Sequence, residues 1–138
     1  MMVMDETTQH EMDRRSSVAI RQHSRGGCMT SISVEDFAKL DIRIGTVKAI
    51  ERVPNADKLL KFIFDVGGET RQIMASMAPF FDNLDGLIDK QMPLLLNIKP
   101  RTFRGYESQG MIIAADYYKQ RPVFLVPEEP VLSGTQVR

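Results

Sequence analysis

Leu60-Lys61-Phe62-Ile63-Phe64-Asp65-Val66-Gly67-Gly68-Glu69-Thr70-Arg71-Gln72-Ile73-Met74-Ala75 is the stretch that decides the fold. Leu60, Phe62, Phe64 and Val66 recur at period two, the mark of a strand with one buried face. Gly67-Gly68 fits a two-residue hairpin turn, because such turns need left-handed backbone at both central positions. Arg71 to Ala75 then reads as the return strand.

Upstream, Ile42 and Ile44 share one face of a long strand. Gly45 breaks the alternation, and Val47, Ile50 and Val53 continue out of phase; a bulge or coil at the glycine accounts for the shift. Pro54-Asn55-Ala56-Asp57 is a turn. Ser33-Val34-Glu35-Asp36 has the capping-box pattern, so a short helix is expected from Val34 to Lys39.

Downstream, Pro79, Phe80, Phe81 and Leu84 before Gly86 suggest a short helix. Met92 to Ile98, Gln109 to Ala115 and Val123 to Val126 read as strands, and Pro127 to Gly134 as a turn-rich return to Gln136-Val137-Arg138. Five or more short strands with one small helix between the third and fourth fit an all-β, five-stranded Greek-key barrel of the OB type, with short helices and extra C-terminal strands.

The chain has 138 residues, 43% of them apolar, enough for one domain of ordinary size. Its 18 basic and 18 acidic residues cancel, so any polyanion site has to be a local patch. Residues 1–28 are polar and charged, with Val18-Ala19-Ile20 their only apolar cluster, and read as a disordered tail before a domain spanning 29–138. Met29 is a candidate start. Both histidines, His10 and His23, and the single Cys28 lie before Met29. Most zinc sites and histidine-based triads are therefore closed to residues 29–138. No spaced carboxylate pair or phosphate-cradling glycine loop supports an enzyme, and no metal or cofactor is implied. No run is long enough to span a membrane, which makes a cytoplasmic protein the default.

Between Lys99 and Tyr106 stand three cations (Lys99, Arg101, Arg104) and two aromatics (Phe103, Tyr106). Arginine grips phosphate bidentately and stacks on rings. The stretch is either a solvated loop or a polyanion contact. Phe103 is either a stacking platform or a loop anchor. Ser108 either touches a ribose or phosphate or bonds nearby backbone. Met111 either faces a ligand or leads into the core. Arg43 and Lys61 either meet on one face or form exposed ion pairs. Asn55 and Lys58 flank an accessible turn.

Asp36-Phe37, Leu40 to Gly45, Asp57-Lys58-Leu59-Leu60-Lys61, Arg71-Gln72-Ile73, Asn97-Ile98-Lys99-Pro100, and Gly105 through Ser108-Gln109-Gly110-Met111 together resemble the tRNA-binding module of the methionyl-tRNA synthetase beta-subunit type. The likeness runs from Ile32 to Arg138. One departure is Ile73 to Ala78, where the family usually carries a Ser-Gly-Ile turn. The resemblance implies a homodimeric, non-enzymatic OB-fold that recognises the tRNA corner by shape and assists a methionyl-tRNA synthetase catalytic subunit in trans. It places the tRNA contact on Ser108, Gln109 and Met111, with Lys58, Lys99, Arg101 and Arg104 around them. Arg43, Asn55, Lys61 and Phe103 complete the candidate set. The competing readings are a dimeric export-type chaperone that binds unfolded peptides, and a tethering subunit that binds proteins only.

Overall fold

The computed structural model describes residues 30–117 and 121–138. The expected tail at 1–28 lies outside them. A short helix, α1 (Val34–Ala38), follows Ser33. The Asp36 N–H donates to Ser33 Oγ at 3.0 Å and the Ser33 N–H to Asp36 Oδ2 at 3.4 Å, the reciprocal bonds of a capping box.

From Ala38 to Arg138 the chain forms one unit. Its strands are β1 (Ile42–Arg52), β2 (Leu60–Asp65), β3 (Thr70–Ala75), β4 (Gln91–Leu95), β5 (Arg101–Phe103), β6 (Tyr106–Ser108), β7 (Met111–Ile112), β8 (Ala114–Tyr117) and β9 (Arg121–Phe124). Five make an antiparallel sheet in the order β3-β2-β1-β4-β7 that curls into a nearly closed barrel, the OB plan the sequence predicts. β5–β6 and β8–β9 are separate two-stranded hairpins.

Strict alternation on β2 buries Leu60, Phe62 and Phe64 completely, and the two phenylalanine rings stack 5.4 Å apart. With Val47, Ile73, Met92 and Leu94 they form the barrel core. Burying one such side chain is worth about 1.5–3 kcal/mol. The β2–β3 turn is the expected one: Gly67 and Gly68 both have positive φ, 84° and 93°. The C-terminal segment covers the free end of β1. Ile44 exchanges backbone bonds with Gly134 and Thr135 at 2.7 and 2.8 Å, and Arg43 bridges Gln136.

Several expectations need correction. The bulge in β1 lies between Val47 and Ala49, whereas Gly45 pairs in register with Met92. Gly45 is there for packing: a Cβ would stand 2.4 Å from Leu94 Cδ1. Two 3-10 turns, Ala78–Phe80 and Asp85–Leu87, replace the single helix expected after Pro79. The basic loop is a hairpin, and the strand expected from Gln109 to Ala115 breaks at Ile113 into β7 and β8. The strand expected at Val123 to Val126 is β9, shifted to Arg121–Phe124, where it pairs with β8. Among the described residues no helix is long and apolar enough to cross a membrane.

Candidate nucleic-acid interface

The cationic stretch is built as a tight arm. Phe103 pairs with Tyr106, so Arg104-Gly105 is a two-residue turn with φ of 52° and 86°. Left-handed backbone is natural for Gly105 and unusual for an arginine. The turn holds the exposed Arg104 side chain at the tip of the arm.

Beneath the arm lies a second small core. Val53, Ala56, Leu59 and Met74 are buried there, and the half-buried Phe103 and Tyr106 pack against them. The β1–β2 loop supplies Val53, Ala56 and Leu59 and is tied by backbone bonds from Val53 to Leu59 and from Ala56 to Val53. Its Asn55 sits at φ 61°, a conformation asparagine tolerates. This core brings the loop bearing Asn55 and Lys58 next to the arm bearing Arg101 and Arg104. Phe103 is an anchor, with the Arg101 guanidinium 4.9 Å from its ring centroid.

The Ser108-Gln109-Gly110 turn does structural work. Ser108 is 5% exposed; its Oγ accepts from the Met74 N–H at 3.0 Å and donates to the Gly110 carbonyl at 3.1 Å. Gln109 Oε1 accepts from the Gln72 N–H at 3.0 Å, while the Gln109 N–H donates to the Gln72 carbonyl at 2.7 Å. Side chains thus complete the seam between β3 and the β6–β7 turn, where no ladder runs. Two residues with no role assigned from sequence reinforce it. Arg71 Nη1 donates to the carbonyls of Leu96 and Gln109 at 3.2 and 3.1 Å, and Gln72 Nε2 to that of Glu107 at 2.9 Å. The signal was present in Arg71-Gln72, two long polar side chains at the start of the expected return strand.

The candidate cations divide into two sets. Arg43 is paired with Asp41 at 2.9 Å and Lys61 with Glu51 at 2.6 Å. They do not share a site: Lys61 stands opposite Glu51, eight positions along β1 from Arg43, or about 26 Å of strand. The hydrogen bond that Lys61 donates to Glu51 outweighs desolvation and, with the Glu51 charge, holds the Lys61 pKa above its ordinary value. The Lys61 ammonium also lies 5.4 Å from the Tyr106 ring centroid. Lys58, Lys99, Arg101 and Arg104 form no ion pair among the described residues. Lys99, Arg101, Phe103, Ser108 and Met111 line one cleft, and Met111 is 43% exposed.

Residues 42–136 match the family profile described as "Putative tRNA binding domain". The methionine–tRNA ligase of Archaeoglobus fulgidus is 46% identical over 108 residues, which cover 77% of this chain and 16% of that protein. The chain therefore spans about a sixth of that relative's length. Among solved structures, the methionyl-tRNA synthetase related protein of Pyrococcus horikoshii superposes with a TM-score of 0.73 at 32% identity, covering 79% of this chain and 99% of that one. The chaperone CsaA of Bacillus anthracis gives 0.70 at 26% identity, covering 79% and 100%. The chain belongs to the tRNA-binding domain family and is homologous to a region of methionine–tRNA ligases.

Proposed function

We propose that this protein is a non-catalytic tRNA-binding module that adds tRNA affinity to a methionyl-tRNA synthetase in trans. One observation carries the reading: four cations with no acidic partner among the described residues gather around one small core, in a chain whose net charge is zero. Lys58 reaches the site from the β1–β2 loop, Lys99 from the loop before β5, and Arg101 and Arg104 from the arm. Cations fixed on rigid elements match a fixed array of phosphates, and they read the shape of a folded RNA more than its sequence. A modest contact made by a module beside a catalytic partner raises overall affinity far beyond either contact alone. Asn55 and Met111 complete the RNA-facing surface, while Ser108 and Gln109 hold it in place. The family resemblance adds a cytoplasmic homodimer to this proposal. Val126 and Leu132, 58% and 85% exposed, are apolar side chains that a second copy would cover.

The peptide-binding reading rests on the likeness to the chaperone and on an open groove of about 380 Å³ lined by Met77, Phe80, Ile112 and Pro122. An electrophoretic shift with mixed tRNA, run beside one with an unfolded peptide, separates the two. The tRNA is expected to shift and the peptide not; a shift with peptide alone overturns the proposal.

A further inference from the structure

Phosphate contacts leave the cleft beside the arm unexplained. Met74, 6% exposed, forms its inner wall, Ile98 and Phe103 its sides, and the half-exposed Met111 its outer edge. Among the described residues Lys99 and Arg101 are the charged ones lining it, and both are exposed to solvent. Pro100 between them fixes its own φ and stiffens the link. The cleft is small, about 50 Å³. A single flat ring fits those limits.

The lining combines apolar walls for a ring with two cations for the negative charge attached to it. Two of the walls are thioethers, which adapt to ring faces and edges. The one side-chain hydroxyl, Ser108, is fully engaged with Met74 and Gly110. Among the described lining residues Lys99 and Arg101 alone keep free donors, and both are assigned to phosphate, so the cleft selects for the size of an unstacked ring more than for its edge pattern.

We propose that this cleft takes one unstacked single-ring base, uracil or cytosine, of a bound RNA, with the flanking phosphates carried by Lys99 and Arg101. This assignment rests on the RNA-binding reading and goes beyond it, because contact with phosphates alone needs no base.

The test uses the full chain and two fluorescent probes: an eight-residue oligouridylate and a ribose-phosphate oligomer of equal length and charge without bases. Uridine is expected to bind about tenfold more tightly than the abasic oligomer, the lower range of base stacking in single-strand sites. Met111→Ala should bring that ratio to about twofold or less, and Met111→Leu, which keeps the volume, should preserve it. Arg101→Ala should weaken both probes alike. If Met111→Ala fails to fold by circular dichroism, Ile98→Phe, which fills the cleft from another wall, takes its place with the same loss expected. Equal affinity for the two oligomers, or a ratio that survives these substitutions, overturns the assignment. So does oligouridylate that stays unbound at protein concentrations that saturate tRNA. In each of those cases tRNA still binds and only the cleft assignment falls. Failure of tRNA itself to bind overturns the RNA reading, and the cleft assignment with it.

Discussion

Ser108→Ala removes a hydroxyl that looks like an ordinary turn residue and should cost far more than one. Its Oγ is the acceptor for the buried Met74 N–H, 34 positions away in sequence, and it also donates to the Gly110 carbonyl. Removal leaves a buried backbone donor without its partner. That penalty is about 1–3 kcal/mol, and the missing bond to Gly110 adds about 0.5–1.5 kcal/mol, for an expected total of about 1.5–4.5 kcal/mol. For a domain of about 100 residues each kcal/mol moves Tm by roughly 4–8 °C, so even a loss of about 2 kcal/mol lowers it by roughly 8–16 °C. Urea and thermal unfolding should be followed by far-ultraviolet circular dichroism, since the chain has no tryptophan. Ser76→Ala is the control. Ser76 is exposed, and its removal should stay within about 0.5 kcal/mol. If Ser108→Ala behaves like Ser76→Ala, the seam is not held by this hydroxyl and the account of barrel closure is wrong.

Three further outcomes are expected. Gly45→Ala places a methyl 2.4 Å from Leu94 Cδ1 and 3.2 Å from Phe64 Cδ1, so its urea midpoint should fall by the equivalent of about 1–3 kcal/mol; a change under about 0.5 would show that the core yields easily. Glu51→Gln releases Lys61 from its ion pair and should tighten tRNA binding while steepening its salt dependence by up to about one unit; an unchanged slope would place Lys61 outside the contact. Light scattering at micromolar concentration should give twice the chain mass, and a clean monomer would remove the dimer from the proposal.

The barrel was legible where a physical signal was strong and local. Leu60 to Val66 alternates without a break and Gly67-Gly68 names its own turn, so β2 and β3 could be drawn from the sequence. The arm was not legible, because its two strands have three residues each and its turn is Arg104-Gly105 where an Asn-Gly pair would have announced a hairpin. Gly45 misled because a glycine in a strand signals either a bulge or a close approach; here the approach is to Leu94, and the bulge falls at Lys48, which carries no signal of its own. The cations of the candidate site could be read from the sequence, but their pairing could not. Asp41 takes Arg43 two positions along the same segment, while Glu51 takes Lys61 across the β1–β2 pairing, where register decides which acid stands beside which base. The role of Ser108 was equally hidden, since its partner is a backbone group on β3 that no spacing rule reaches.

The salt dependence of tRNA binding by the Arg101→Ala/Arg104→Ala double variant tests the central claim most directly. Removing one phosphate-binding cation should reduce the slope of log affinity against log salt by about 0.7–0.9 units. Both side chains are exposed and form no ion pair among the described residues, so the fold should survive their removal. The expected result is a folded protein whose affinity falls for all tRNAs alike and whose slope flattens by up to about two units. A folded double variant that binds tRNA with unchanged affinity and unchanged slope would contradict the account and move the RNA-binding surface away from the arm.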